Sequence, residues 1–176
     1  MRKVLYMMGI LDDSDVEWLG KNGKTQFISP GTVLIHEGSA VEDVYVVLEG
    51  KLSVVVKATS DRQIAGLLAG EIVGEISFID SRPPSASVVA AQDSQLLVVS
   101  RSVLTSKLRG DAAFAARFYR AVAVLLADRL RQTTSHLGYG KWTEKAEPDE
   151  LDEPLMDCAC VGTTRFDRLL KQLRIH

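Results

Sequence analysis

Gly74-Glu75, followed ten residues later by Ser85-Ala86-Ser87, is the stretch whose residue types can do chemistry. The glycine lets the backbone turn tightly and approach a ligand, and a short helix starting near Glu75 would aim free backbone N–H groups at an anion. Glu75 is an acceptor that repels phosphate, so beside such a site it suits a hydroxyl. Gly74, Glu75 and Ile76 would line one side of a concavity, with the N–H and hydroxyl groups of Ser85, Ala86 and Ser87 facing it from the next strand. The plainer alternative is that Gly74 ends a strand and Glu75 begins a helix, with no ligand involved.

The remaining reactive side chains are dispersed. His36, His136 and His176 lie far apart, with no Gly-x-Ser-x-Gly, Walker or His-Glu-x-x-His pattern beside them, and the expectation is a binding module that is not an enzyme. Cys158 and Cys160 are the only cysteines. Their spacing disfavours a relaxed mutual disulfide and supplies at most half of a zinc site, so they read as incidental thiols, with no metal and no resident cofactor expected.

The 176 residues carry 21 Lys plus Arg against 23 Asp plus Glu, a net charge of −2 that gives the whole molecule no reason to seek nucleic acid or anionic lipid. No window approaches 18 uninterrupted apolar residues. The opening run through Met8 is cut short by Asp12, Asp13 and Asp15, too soon for a signal peptide. These features read as a soluble cytoplasmic protein with no membrane partner.

The elements that must position the Gly74 to Ser87 stretch follow from spacing. Short β-rich runs at 25–28, 33–35, 44–48, 51–57, 63–68, 85–91 and 96–99 are separated by Pro30-Gly31, Glu37-Gly38, Glu49-Gly50 and Ala69-Gly70. They leave no room for crossover helices, which predicts a mainly β fold with flanking helices, an antiparallel jelly-roll-like β-roll. One short helix over 12–19 should lean on it through Val16 and Leu19. Beyond the roll, Ser100 is placed to cap a short helix to 108, and Asp111 a long one over 111–134 with Phe114, Phe118, Ala121, Val122, Leu125, Leu126 and Leu130 on one stripe. That stripe packs either on its own domain or on a second copy, and the expectation is a homodimer through helix 111–134. The basic residues of 101–141 read as the solvated face of these helices.

Residues 144–157 hold seven acidic residues with Pro148 and Pro154, and read as extended and solvated. Thr164 and Asp167 resemble a capping box opening a short amphipathic terminal helix, which folds back on the linker or the roll, or offers its basic face to an anionic partner. The expected domains are therefore 1–136, the roll with its helices, and 137–176, an acidic linker with a helical tail.

Several motifs in the right order resemble the cyclic-nucleotide-binding domain family, the β-roll of catabolite-activator-type regulators, cyclic-nucleotide-dependent kinases and gated channels. They are Phe27, Pro30-Gly31, Leu34-Ile35 and Glu37-Gly38, then Val44 to Leu52, then the phosphate-binding cassette from Gly70 to Val88 with Gly74-Glu75 at its centre. The resemblance spans roughly residues 10–135. It implies a regulatory signal-transduction module whose ligand is a cyclic nucleotide such as cAMP or cGMP, or a related anionic metabolite, with Glu75 on the ribose 2′-hydroxyl.

The cassette departs from the family at Pro84, which stands where the family's phosphate-binding arginine falls. Proline offers neither charge nor N–H to an anion, and the lost charge-assisted bond is worth about 1.5–3 kcal/mol. Arg82, two residues earlier, either curls back as a substitute or stays a turn residue facing solvent. Two functions follow: a small ligand sensor whose helix after Asp111 closes over the site as a lid, or a roll that kept the fold, lost the ligand and serves as an interaction or dimerisation module. The family's transcription factors carry a helix-turn-helix after the long helix. One terminal helix cannot supply that, so no sequence-specific DNA binding is expected.

Overall fold

The computed structural model describes residues 5–56, 62–136 and 153–174. Two four-stranded antiparallel sheets face each other. One runs β1 (Lys24–Ile28), β8 (Ser94–Ser100), β3 (Asp43–Glu49), β6 (Ile72–Val73), and the other β2 (Val33–Ile35), β7 (Ser87–Ala90), β4 (Lys51–Val56), β5 (Arg62–Leu68). Every strand pair is antiparallel, as the spacing predicts.

β3 explains its own uninterrupted apolar sequence. Tyr45 and Val47 point between the sheets, where they meet Leu52, Val88 and Leu96, while Val44, Val46 and Leu48 face a helical layer. Buried on both faces, the strand has no use for a polar alternation. All five residues from Val44 to Leu48 are therefore buried, whereas Val54, Val55 and Val56 are only half-buried. β6 had no counterpart in the strand pattern, because two residues are too few to carry a period; it is fixed by pairing Tyr45 with Val73 and Val46 with Ile72.

The helical layer is larger than the sequence pattern implies. The single helix expected over 12–19 is preceded by another: α1 (Leu5–Ile10) buries Met7 and Met8, and α2 (Asp13–Asn22) buries Val16 and Leu19. The Asp12 N–H donates to Asp15 Oδ2 at 2.8 Å, closing the start of α2. α4 (Arg101–Gly110) and α5 (Ala112–His136) lie where expected, and Asp111 caps α5 by accepting the Phe114 N–H at 2.9 Å.

The apolar stripe of α5 is consumed within the chain, save that Leu130, assigned to it from the sequence, does not belong to it and is exposed. Phe114 and Phe118 are buried beside Trp18 and Phe78, and Ala121 and Val122 are buried with them. The bland expectation holds for this face, which is not available as a seam with a second copy. Tyr119, Ala123 and Leu130, on the opposite side, are exposed.

The tail also differs. α6 (Glu153–Gln172) begins eleven residues before Thr164, so the extended reading of the acidic segment fails for its last five residues, which are helical; 144–152 lie outside the described residues. Proline is tolerated in the first turn of a helix, where Pro154 falls. Thr164 caps nothing: its Oγ1 donates to the Cys160 carbonyl at 3.3 Å. α6 folds back on α1 and α2, burying Phe166 and Leu169. Arg165 donates to Asp13 at 2.6 Å and to the carbonyls of Gly9, at 3.0 Å, and Leu11, and Arg168 reaches the same Asp13 at 2.6 Å. Of the two alternatives for the basic face, two of its arginines are used inside the chain.

Among the described residues, no helix is long and apolar enough to cross a membrane.

Candidate functional site

The cassette runs from β6 through α3 (Glu75–Asp80) and the turn 81–86 into β7. Gly74 sits between β6 and α3 with φ +86°, a left-handed conformation that side chains rarely adopt. A Cβ there would lie 2.8 Å from the Asp43 carbonyl oxygen, so strand β3 approaches the glycine backbone too closely for any other residue. The first-turn N–H groups of α3 have no carbonyl partner inside so short a helix.

Glu75 is buried at the head of α3, 2% exposed. Its carboxylate is ion-paired with Arg129 of α5, whose guanidinium also donates to the Ile72 carbonyl at 2.8 Å and lies 3.5 Å from Glu71 Oε2. Burial pushes the Glu75 carboxyl above the ordinary range, and Arg129 opposes that shift without cancelling it. Glu71 is raised for the same reason, again with Arg129 opposing. Two carboxylates thus share one guanidinium.

Arg129 was not singled out in the sequence, where it was grouped with solvated basic residues. A signal was present: it falls on the face of Phe118, Val122 and Leu125, at steps of four, three and four residues, where the apolar stripe calls for another leucine. A charge on a buried stripe implies a buried partner. Arg117 and Arg101 correct the same grouping. Arg117 donates to buried Asp15 through Nε and Nη2, the latter at 2.8 Å. Arg101 lies over the Phe78 ring, 5.5 Å from its centroid, and caps the C-terminal end of α3 by donating to the Ser77 carbonyl at 3.0 Å and Ser81 Oγ at 2.9 Å.

The other residues singled out from the sequence divide by burial. Ile76 and Ser85 are exposed and Ala86 is half-buried. Ser87 is buried, and its Oγ accepts the Glu37 N–H at 3.0 Å, tying β7 to the 36–39 turn. Pro84 uses the one main-chain group it keeps: its carbonyl accepts the Gly38 N–H at 2.8 Å. Arg82 is exposed, and its main-chain N–H donates to Asp80 Oδ1 at 3.0 Å. The structure brings Gly74, Glu75 and α5 together, and leaves Arg82 as a turn residue. His36 and Cys160 are exposed, and no group of three His, Cys, Asp or Glu among the described residues could hold a metal ion.

The family model for the cyclic nucleotide-binding domain matches residues 25–111, which take in the whole cassette and the roll around it. Those residues belong to the cyclic nucleotide-binding domain family. Among curated relatives, the cyclic AMP receptor protein of Thermus thermophilus is 31% identical over 109 residues, 61% of this chain and 49% of that protein. The Pycsar effector protein XpPycTIR of Xanthomonas perforans is 31% identical over 106 residues, 58% of this chain and 32% of that protein. The chain thus spans half or less of the length of these relatives. A solved cyclic nucleotide-binding domain from Methylobacillus flagellatus superposes with a TM-score of 0.70 at 23% identity, covering 81% of this chain and 84% of its own. That likeness is one of fold: the β-roll with its flanking helices and the long helix α5.

Proposed function

We propose that this cyclic nucleotide-binding domain is a non-catalytic, cytoplasmic regulatory module that takes a ribose-bearing ligand of the nucleotide class, with the ribose hydroxyl on Glu75. The observation that carries this reading is the Glu75–Arg129 pair. A carboxylate only 2% exposed at the head of α3 is held by a side chain from the long helix, so a hydroxyl arriving at Glu75 is felt by α5 directly. Gly74 supports it, since its left-handed backbone, closely approached by the Asp43 carbonyl of β3, fixes where α3 and Glu75 begin. The family's cyclic nucleotides, cAMP and cGMP, are the first ligands to consider. α5 then acts as the lid, and its outer face, with Tyr119, Ala123 and Leu130 exposed in one line, is the surface for a homodimer.

Calorimetric titration of ligand-stripped protein with cyclic AMP, cyclic GMP, cyclic dinucleotides and the parent nucleosides tests the reading. Saturable one-to-one binding of at least one of them, lost in Glu75→Ala, is the expected result. Absence of binding across the panel would reject it. Pro84, which offers an anion neither charge nor N–H, favours a second reading, a roll that keeps the fold and works only as an interaction module.

A further inference from the structure

The arginines of the helical layer differ in what they meet. Arg117, Arg129, Arg165 and Arg168 each reach a carboxylate, on Asp15, Glu75 or Asp13. Arg101 reaches instead three neutral oxygens, the carbonyls of Ser77 at 3.0 Å and Phe78 at 3.5 Å and Ser81 Oγ at 2.9 Å. Together with Arg109 it lines a hollow of about 320 Å³ between the end of α3, α4 and α5, whose other walls are Phe78, Thr105, Leu108 and Tyr119. Among the described residues, no acidic side chain lines it. Helical spacing builds the wall, since Arg101, Thr105, Leu108 and Arg109 fall on one face of α4. The rings of Phe78 and Tyr119 both rest on buried Phe118, with centroids 6.0 and 5.8 Å from its own, so the aromatic side of the hollow is held by the core.

We propose that this hollow binds a small aromatic carboxylate, with its ring against Phe78 and Tyr119 and its carboxylate on Arg101 and Arg109. The site is separate from the ribose position at Glu75 and does not rest on that reading. Two cations lining one hollow repel each other, and an anion seated between them removes the repulsion. Charge alone is not enough, because Arg109 is exposed and water screens an ion pair at such a position. The aromatic side supplies what charge lacks, an apolar surface that a ring-bearing ligand covers. A guanidinium takes a carboxylate in a planar two-bonded fork, and the Thr105 hydroxyl is a further donor on the same wall. The volume lies at the small end of the range for ligand sites, room for a ring and its acid. The occupant touches α3 through Phe78 and α5 through Tyr119, the two helices that Glu75 and Arg129 join.

The test is calorimetric titration of the whole chain with phenylacetate, its neutral amide phenylacetamide, acetate and inorganic phosphate, in wild type, Arg109→Gln and Tyr119→Ala. Both substitutions fall at exposed positions, and melting temperatures check that the fold is kept. Phenylacetate should saturate one site, about tenfold or more tightly than the amide, acetate or phosphate, since each of these lacks either the charge or the ring. Arg109→Gln should weaken phenylacetate about tenfold, the loss of one charge-assisted bond, and leave any affinity for the amide within about twofold. Tyr119→Ala should weaken phenylacetate and the amide alike. The amide or phosphate binding as tightly as phenylacetate, or a phenylacetate affinity unmoved by Arg109→Gln, overturns the proposal. So does failure of phenylacetate to saturate both the wild type and Leu130→Glu, a variant whose exposed α5 face resists cover by a second copy. None of these outcomes bears on the ribose reading, which the cyclic-nucleotide titration tests.

Discussion

Glu75 and Arg129, 54 residues apart in sequence, form one buried ion pair that joins the cassette helix to the long helix. The side chains are 2% and 25% exposed, so water screens the pair weakly from the arginine side alone. Removing Arg129 leaves a carboxylate in a site too dry to hold its charge. Arg129→Gln should therefore lower stability by about 2–4 kcal/mol in urea unfolding. Adding Glu75→Gln should recover part of that loss, since the double variant buries no unpaired charge. A double variant no more stable than Arg129→Gln would mean the pair is not coupled in solution.

Gly74→Ala tests the close approach of β3 to the cassette. A left-handed conformation costs a non-glycine residue about 1–2 kcal/mol. The added Cβ also meets the Asp43 carbonyl oxygen at 2.8 Å, which backbone must yield to. The expected outcome is a fall in melting temperature larger than the conformational cost alone, with ligand binding lost in parallel.

Leu169 in α6 is fully buried against the α1 and α2 layer. Leu169→Ala should cost about 2–5 kcal/mol, the range for truncating a core leucine. A loss under about 0.5 kcal/mol in chemical denaturation would mean that α6 does not dock in solution.

The pH dependence has two opposing arms. Glu71 and Glu75 have carboxyls raised above the ordinary 4.5, so their native environment favours the protonated form; what they contribute to stability is fully present below that value and is lost as pH rises through the raised values. Asp13 is displaced the other way, first by its hydrogen bonds to Arg165 and Arg168, so its contribution is present above 3.8 and is lost as pH falls through its lowered value. Urea midpoints followed from pH 3 upward should decline above about 4.5 in the wild type and flatten in Glu71→Gln. An unchanged slope in that variant would remove Glu71 from the account.

If α5 pairs two copies, it must do so through the face away from Phe114 and Phe118, where Leu130 is 65% and Tyr119 49% exposed. Leu130→Glu should then convert a dimer to a monomer in sedimentation at micromolar concentration, with the melting temperature of the monomer little changed. A wild type that is monomeric throughout would remove the homodimer.

What the sequence determined by itself is whatever short-range pattern encodes. The alternation of short apolar runs with Pro30-Gly31, Glu37-Gly38 and Glu49-Gly50 was enough for an antiparallel roll, since turns and strand periods are local properties. Gly74-Glu75 was legible as a turn that opens a helix, because one residue's backbone freedom and the helix start beside it are local properties. What only the tertiary structure decided is who meets whom. Arg129 on Glu75, Arg165 on Asp13 and the face of α5 that is buried depend on pairings 54, 152 and, for Arg117 on Asp15, 102 residues apart. No local period reports such pairings. A two-residue strand such as β6 and a six-residue helix such as α1 are likewise too short to stand on their own propensity, and exist because β3 pairs with one and α5 and α6 enclose the other.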